Sequence, residues 1–245
     1  MTHKIEAVSV NHNTSSYMEL MLRSLFAHHP AGLDLSLTII DNASEDETDE
    51  LTAYAESKQV LIIQSGFTTE TLNNSHGEIL RQFVLNHPDC THYLFLDTDV
   101  CFLADETLNV MVRELDRDPD AFGIGPRLSG DGVREIPQES RDKNPDICDA
   151  RLHPCCALVK NTPLFRNVVE EIGLSCVKYL WADEEAYLDT FKLMTKVMKT
   201  HQLKHIFSSQ MVHHVFCVSY GWDEKELVEI KKKRRDALLE TYRGY

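Results

Sequence analysis

Asp97 and Asp99 stand one residue apart, directly after the apolar run Tyr93-Leu94-Phe95-Leu96. Such a run reads as a strand buried on both faces. Two carboxylates at its exit offer hard oxygen donors to a divalent cation and, through it, to phosphates. The plainer reading is an Asx turn, because aspartate bonds readily to its own nearby backbone. Two other apolar runs also end in polar groups: residues 5–10 lead into Asn11-His12-Asn13, and residues 35–40 into Asp41-Asn42. One acidic strand end could be a turn; three in register indicate a shared cleft.

Two more groups carry chemistry. Asp183-Glu184-Glu185 lies close to Tyr179 and Trp181. These acids either open a helix, whose first turn favours carboxylates, or place a general base at the rim of an acceptor pocket walled by the aromatics. His213 and His214 sit in the apolar stretch 211–218. On an alternating strand they face opposite sides, so at most one meets a metal. A set of oxygens with one imidazole suits Mn²⁺ or Mg²⁺, with Mn²⁺ the more tolerant of nitrogen.

The elements that must position these residues follow from periodicity. Strands at 5–10, 35–40, 60–64 and 93–96 alternate with helices at 17–28, from Asp46 or Thr48 to about Ser57, and 78–86. Alternation of this kind predicts a parallel α/β sheet. The second half predicts a helix at 106–116, a strand at 121–125 before Pro126, a strand at 155–159 and a helix at 162–171 with Pro163 at its start. Residues 129–149 read as an irregular loop whose Arg134, Arg141 and Lys143 could meet phosphates. Residues 191–199 fit helix or strand, and short strands follow at 205–207 and 211–218. The tail 224–245 reads as a charged helix. Its cationic run 231–235 is expected to be solvated, with peripheral contact to anionic lipid as the alternative.

Composition narrows the function classes. The 245 residues carry a formal charge of −14, which argues against general nucleic-acid binding. No stretch resembles a signal peptide or a membrane span. Seven cysteines without a C-x-x-C fit a reducing, cytoplasmic setting, and adjacent Cys155-Cys156 read as buried thiols. A G-x-G-x-x-G after the first strand is absent, as is a G-K-[ST] loop, which sets aside a dinucleotide site and a P-loop.

Taken together, three segments resemble the inverting glycosyltransferases of family 2, rhamnosyltransferase-like members included. Val8–Asn13 (V-S-V-N-H-N) is similar to that family's first strand and nucleotide turn, Asp41-Asn42-Ala43-Ser44-Glu45-Asp46 to its D-N-x-S-x-D segment, and Tyr93–Asp99 to its strand and D-x-D motif. The resemblance covers about residues 5–220. It implies a GT-A-type α/β fold with a mostly parallel central sheet flanked by helices. Residues 1–104 would form the donor half, 105–222 the acceptor and catalytic half of the same domain, and 223–245 a C-terminal helix.

The resemblance also implies roles. Asn11, His12, Asn13, Asp41, Gly77, Asp97, Thr98 and Asp99 would contact a UDP- or dTDP-sugar donor. Asp99, Asp97 and His214 would hold Mn²⁺ or Mg²⁺. Ala182-Asp183-Glu184-Glu185 resembles the family's E-D-x-D acceptor motif, with Asp183 as base, Glu184 as its competitor, and Trp181, Tyr179 and Glu185 on the acceptor side. His214–Ser219 resembles an H-x-x-G-x-S segment. Three positions depart from the pattern: Ala182 replaces Glu, Ser75 replaces Asn of N-x-G, and Cys217 replaces Gly. The implied activity is metal-dependent transfer of a hexosyl group to an acceptor hydroxyl. The alternatives are a nucleotidyltransferase or a non-catalytic sugar-nucleotide-binding scaffold.

Overall fold

The computed structural model describes residues 3–28, 32–67, 75–129, 151–175, 177–181, 184–215, 218 and 225–245, the side chains of 177–181, 184–188 and 227 excepted. Strand β1 (Lys4–Asn11) enters helix α1 (Ser15–Ala27), then β2 (Asp34–Asp41), α2 (Asp49–Ser57), β3 (Leu61–Gln64), α3 (Ser75–Asn86) and β4 (His92–Leu96). These strands pair in parallel, in the order β3-β2-β1-β4. The register sets Asn11 opposite Asp41 and Ser9 opposite Leu96, so three strand ends meet at one edge.

Every residue of β4 is buried. Leu94 and Leu96 belong to the core under α1, α2 and the helix Thr107–Arg117, whereas Tyr93 and Phe95 belong to the core on the opposite face. Both faces of the strand are therefore covered, which is why it reads as an unbroken apolar run. Phe95 meets Phe191 edge-to-face at 5.0 Å, and the Tyr93 hydroxyl lies 2.8 Å from the His87 carbonyl and 3.1 Å from that of Val84.

Past the acids the chain makes a short strand, β5 (Val100–Phe102), then α4 (Thr107–Arg117), β6 (Ala121–Ser129), β7 (Cys156–Lys160), α5 (Pro163–Ile172), β8 (Val177–Trp181), β9 (Glu184–Leu188), α6 (Lys192–Thr200), β10 (Lys204–His214) and α7 (Lys225–Tyr242). The sheet continues from β4 through β7, β6 and β10 to β5. The pairs β4–β7, β7–β6 and β10–β5 are antiparallel and β6–β10 is parallel. Among the described residues, no helix is long and apolar enough to cross a membrane.

Several local expectations need correction. The stretch 205–207 and the first part of 211–218, as far as His214, form one strand, β10, and β6 passes through Pro126 to Ser129. The two facts are linked. Proline cannot donate to the ladder, and β10 shifts register between Phe207 and Met211, opposite Pro126. Glu114 accepts hydrogen bonds from the Ser208 hydroxyl and the Ser209 N–H in that bulge. The acids at 184–185 do not open a helix. Glu184–Leu188 is a strand paired antiparallel with Val177–Trp181. The β-favouring Val177, Tyr179, Trp181 and Tyr187 outweigh the first-turn preference of the carboxylates. The segment 191–199 is helical from Lys192 on, with Phe191 at the N-cap.

Candidate functional site

The ends of β1 and β2 are tied by a closed polar network. The Asn11 side chain is 1% exposed. Its amide nitrogen lies 3.0 Å from Ser15 Oγ, 3.1 Å from Asp41 Oδ1 and 3.0 Å from Ser44 Oγ, while its oxygen accepts from the Thr14 hydroxyl at 3.0 Å. Asp41 Oδ2 takes the Ser44 N–H at 3.2 Å and closes the turn. That turn holds Ala43 at φ 55°, a strained value for alanine. Asn11 thus faces inward and positions Asp41. His12 is half-buried and donates from Nδ1 to the Asn42 carbonyl at 2.7 Å. Asn13 is exposed, at φ 54°, and its side-chain oxygen accepts the Glu45 N–H at 2.7 Å.

Of the two candidates for the start of α2, Thr48 stands at its N-cap, and Asp46 instead reaches the start of α1. Its Oδ2 takes the Ser15 N–H at 2.8 Å and its Oδ1 the Ser15 hydroxyl at 2.9 Å. A carboxylate there satisfies an orphan donor of the first turn and complements the helix dipole. Asn42 links the same edge to α3 by donating to Ser75 Oγ at 2.9 Å. Ser75, which departs from the family pattern, is therefore a connecting residue. Gly77 lies beside it: a Cβ there would meet the Ser175 Cα at 2.3 Å, so only glycine lets α3 approach that backbone.

The end of β4 is different in kind. The Asp97 N–H bonds to the Cys155 carbonyl at 2.9 Å, extending the β4–β7 pairing. The chain then turns at buried Thr98 and Asp99 into β5, where Val100 pairs with His214 and the Val215 N–H bonds to the Asp99 carbonyl at 2.9 Å. This pairing brings the imidazole to the acids. His214 Nε2 lies 3.0 Å from Asp99 Oδ1 and 3.9 Å from Asp97 Oδ2. One potential ligand atom from each of the three falls within 4.8 Å of the others. His213 points elsewhere, with Nδ1 3.2 Å from Ser129 Oγ.

The electrostatics of this cluster are unbalanced. Burial and then the neighbouring Asp99 push the Asp97 carboxyl up to about 7, against the lowering influence of His214 and Arg151. Two carboxylates and an imidazole at a partly buried strand end make a hard donor set with one nitrogen, which fits Mn²⁺ or Mg²⁺.

Further residues join the site that sequence reasoning did not single out. Arg151 is buried, pairs with Asp189 and donates to the Thr190 carbonyl. His153 and Cys155 form a second, softer potential ligand group with His214. Burial holds the His153 imidazole neutral, its pKa well below the ordinary histidine range. Nothing in their sequence spacing announces these contacts, because β7 and β10 meet the β4 end only through the antiparallel half of the sheet. His153 and Cys155 also line a cavity of about 370 Å³, with Leu152, His205 and Phe207.

The acceptor-side expectations rest on less. Asp183 lies outside the described residues, and Tyr179, Trp181, Glu184 and Glu185 are described by backbone alone, in the β8–β9 hairpin. The loop basics Arg134, Arg141 and Lys143, and Cys217 of the segment after His214, also lie outside them.

No protein-family model matches the sequence, and no curated protein matches it. Solved structures match the fold. The mannosyltransferase PcManGT from Pyrobaculum calidifontis, in complex with GDP-Man and Mn²⁺, is similar with a TM-score of 0.61 at 13% identity, over 97% of this chain and 63% of that protein. The chain has the GT-A fold. Glucosyl-3-phosphoglycerate synthase from Mycobacterium tuberculosis, in complex with Mn²⁺, UDP-Glc and phosphoglyceric acid, shares it with a TM-score of 0.55 at 12% identity, over 98% of this chain and 80% of its own. TarS 1-349 of S. aureus follows with a TM-score of 0.51 at 14% identity, covering 96% of this chain and 65% of its own. This GT-A chain spans somewhat less than two thirds of the mannosyltransferase's length.

Proposed function

We propose that this chain is a metal-dependent glycosyltransferase that moves a hexosyl group from a nucleoside-diphosphate sugar to an acceptor hydroxyl. One observation carries the reading: Asp97, Asp99 and His214 converge where the parallel strands of a GT-A fold end, and burial with like charge raises the Asp97 carboxyl to about 7. A divalent cation resolves that crowding. The solved relatives named with Mn²⁺ and with GDP-Man or UDP-Glc support the choice of metal and donor class.

In this reading Asp99, His214 and Asp97 hold Mn²⁺ or Mg²⁺, and the ion supplies charge neutralisation for a departing nucleoside diphosphate. Asp41, fixed by Asn11 and Ser44, accepts hydrogen bonds from the nucleobase, and His12 lies against it. The donor is a UDP- or dTDP-sugar. Asp183 takes the proton of the acceptor hydroxyl as that oxygen attacks the anomeric carbon from the face opposite the diphosphate, so the centre inverts. Glu184 is the next base in line, with Trp181, Tyr179 and Glu185 walling the acceptor pocket. Residues 1–104 then carry the donor side and 105–222 the acceptor side of one domain.

A panel of nucleotide-sugars with Mn²⁺ tests this. Asp99→Ala should lose metal-dependent donor binding. Asp183→Ala should keep donor binding and lose transfer by about 10²–10⁴-fold, the usual share of a general base. Donor binding without hydrolysis or transfer by the wild type would mark a scaffold, and release of pyrophosphate from a nucleoside triphosphate would mark a nucleotidyltransferase.

A further inference from the structure

The opposite end of β4 holds another group of metal-ligand side chains, which the proposed chemistry does not use. His92 opens that strand between Ile5 of β1 and Lys160 of β7. By alternation it shares the face of Leu94 and Leu96, and His3, one residue ahead of β1, shares the face of Ile5 and Ala7. Those four apolar residues belong to one core with Leu115 of α4. The next residue is Asp116, in the last turn of α4, and its carboxylate meets both imidazoles.

His3 Nε2 lies 3.4 Å from Asp116 Oδ2, and His92 Nε2 lies 3.6 Å from Asp116 Oδ1. The two rings stand 5.5 Å apart between centroids. One potential ligand atom from each of the three residues falls within 4.8 Å of the others. Charge-assisted hydrogen bonds run at about 2.7–2.9 Å, so these gaps are too wide for them. They are close to the edge of a tetrahedron around Zn²⁺, about 3.4 Å for bonds of about 2.1 Å.

The hydrogen bonds around His92 fix what its ring offers. The Thr91 hydroxyl donates to the Lys4 carbonyl at 2.8 Å, so it accepts from His92 Nδ1 at 3.0 Å. Nδ1 therefore carries the proton and Nε2 presents its lone pair. That nitrogen is buried without a hydrogen-bond partner among the described residues, in a residue 4% exposed. It faces a carboxylate oxygen, which is an acceptor too. Two acceptors aimed at each other call for a cation between them. A proton is a poor one here, because burial pushes the His92 imidazole down to about 4, against the pull of Asp116. Asp116 adds its own demand, since a carboxylate in the last turn of a helix opposes the helix dipole.

We propose that His3, His92 and Asp116 form a structural zinc site that clasps β1, β4 and α4 at the amino edge of the sheet. Two imidazoles and a carboxylate suit Zn²⁺, with water as the fourth ligand, whereas Mn²⁺ stands at the low end of the affinity order for such donors. Thr91 supplies the outer hydrogen bond that orients the His92 ring. The His3 side chain is about a third exposed, which gives the ion a way in from solvent. Five residues of β4 at about 3.3 Å each set this site about 16 Å from Asp97, so it stands apart from the metal–donor reading.

The test is calorimetric titration of Zn²⁺ into the full chain carrying His214→Ala. That change removes the residue shared by the two other potential ligand groups among the described residues. This protein should bind one Zn²⁺ per chain and melt at a higher temperature with the metal than without it. Adding His3→Ala or Asp116→Ala, both at partly exposed positions, should weaken that binding by about 10–100-fold or more and abolish the rise in melting temperature. A melt without metal confirms that each variant folds. With His214 intact, the same two substitutions should leave Mn²⁺ affinity unchanged. No Zn²⁺ uptake by the His214→Ala chain overturns the proposal, as does equal uptake after either added substitution. A Mn²⁺ affinity that falls with Asp116→Ala contradicts the separation of the two sites.

Discussion

Two adjoining strand ends in this molecule treat their polar groups in opposite ways. At β1 and β2, Asn11, Asp41, Ser44, Ser15 and Asp46 satisfy one another. At β4, Asp97 and Asp99 crowd like charges around one imidazole, and the Asp97 carboxyl is pushed up to about 7. A satisfied network fixes geometry and costs free energy when broken. An unbalanced cluster gains from a ligand of opposite charge. The first end is accordingly a frame, and the second is where, in the proposed function, a cation would act.

The sharpest way to break this contrast is to alter one member of each region. His214→Ala removes a ligand from the β4 cluster. Mn²⁺ affinity should fall about 10–100-fold or more, by analogy with the loss of groups supporting a metal site, with little change in the melting temperature. Equal affinity would detach the imidazole from the metal. Asn11→Ala should do the reverse. It leaves buried partners unsatisfied and should cost about 1–3 kcal/mol of stability, read by denaturant unfolding, while Mn²⁺ affinity stays within about twofold.

A pH titration sharpens the contrast further. The Asp97 carboxyl titrates near 7, so Mn²⁺ must displace a proton below that pH. Apparent affinity should fall by up to about tenfold per unit as pH drops below 7 and level off above it. Without metal, a carboxyl raised from 3.8 to about 7 binds its proton more tightly in the folded state. Stability should therefore fall as pH rises through that window. Asp97→Asn should flatten both profiles, and an unchanged metal profile would assign the proton elsewhere. The smallest effect is expected at Asp46→Ala, which removes the α1 cap at a cost of about 0.5–2 kcal/mol, visible in the melt and absent from metal binding.

The alternation of strands and helices through β4 was legible in the sequence because each element there buries a periodic face against its chain neighbours. The antiparallel half was harder to read. Strand β5 has only three residues, too few for any periodicity, yet it is the element that sets Asp99 beside His214. Strand β10 looked like two pieces because its bulge opposite Pro126 places Ser208-Ser209-Gln210 in the middle. The acids at 184–185 resembled a helix start because the pairing of Glu184 with Trp181 is a tertiary fact. The candidate site divides in the same way. Asp97, Asp99 and Asp41 stand out by position after apolar runs, whereas His153, Cys155 and Arg151 reach the same edge only through packing.

The central claim is that Asp97, Asp99 and His214 form one divalent-cation site. Electron paramagnetic resonance of Mn²⁺ tests it most directly, since free Mn²⁺ gives a strong signal that weakens on binding. Titration of the wild-type chain in the presence of UDP should show one tight Mn²⁺ per chain, and folded Asp99→Ala should show none. Equal uptake by the two proteins would contradict the account.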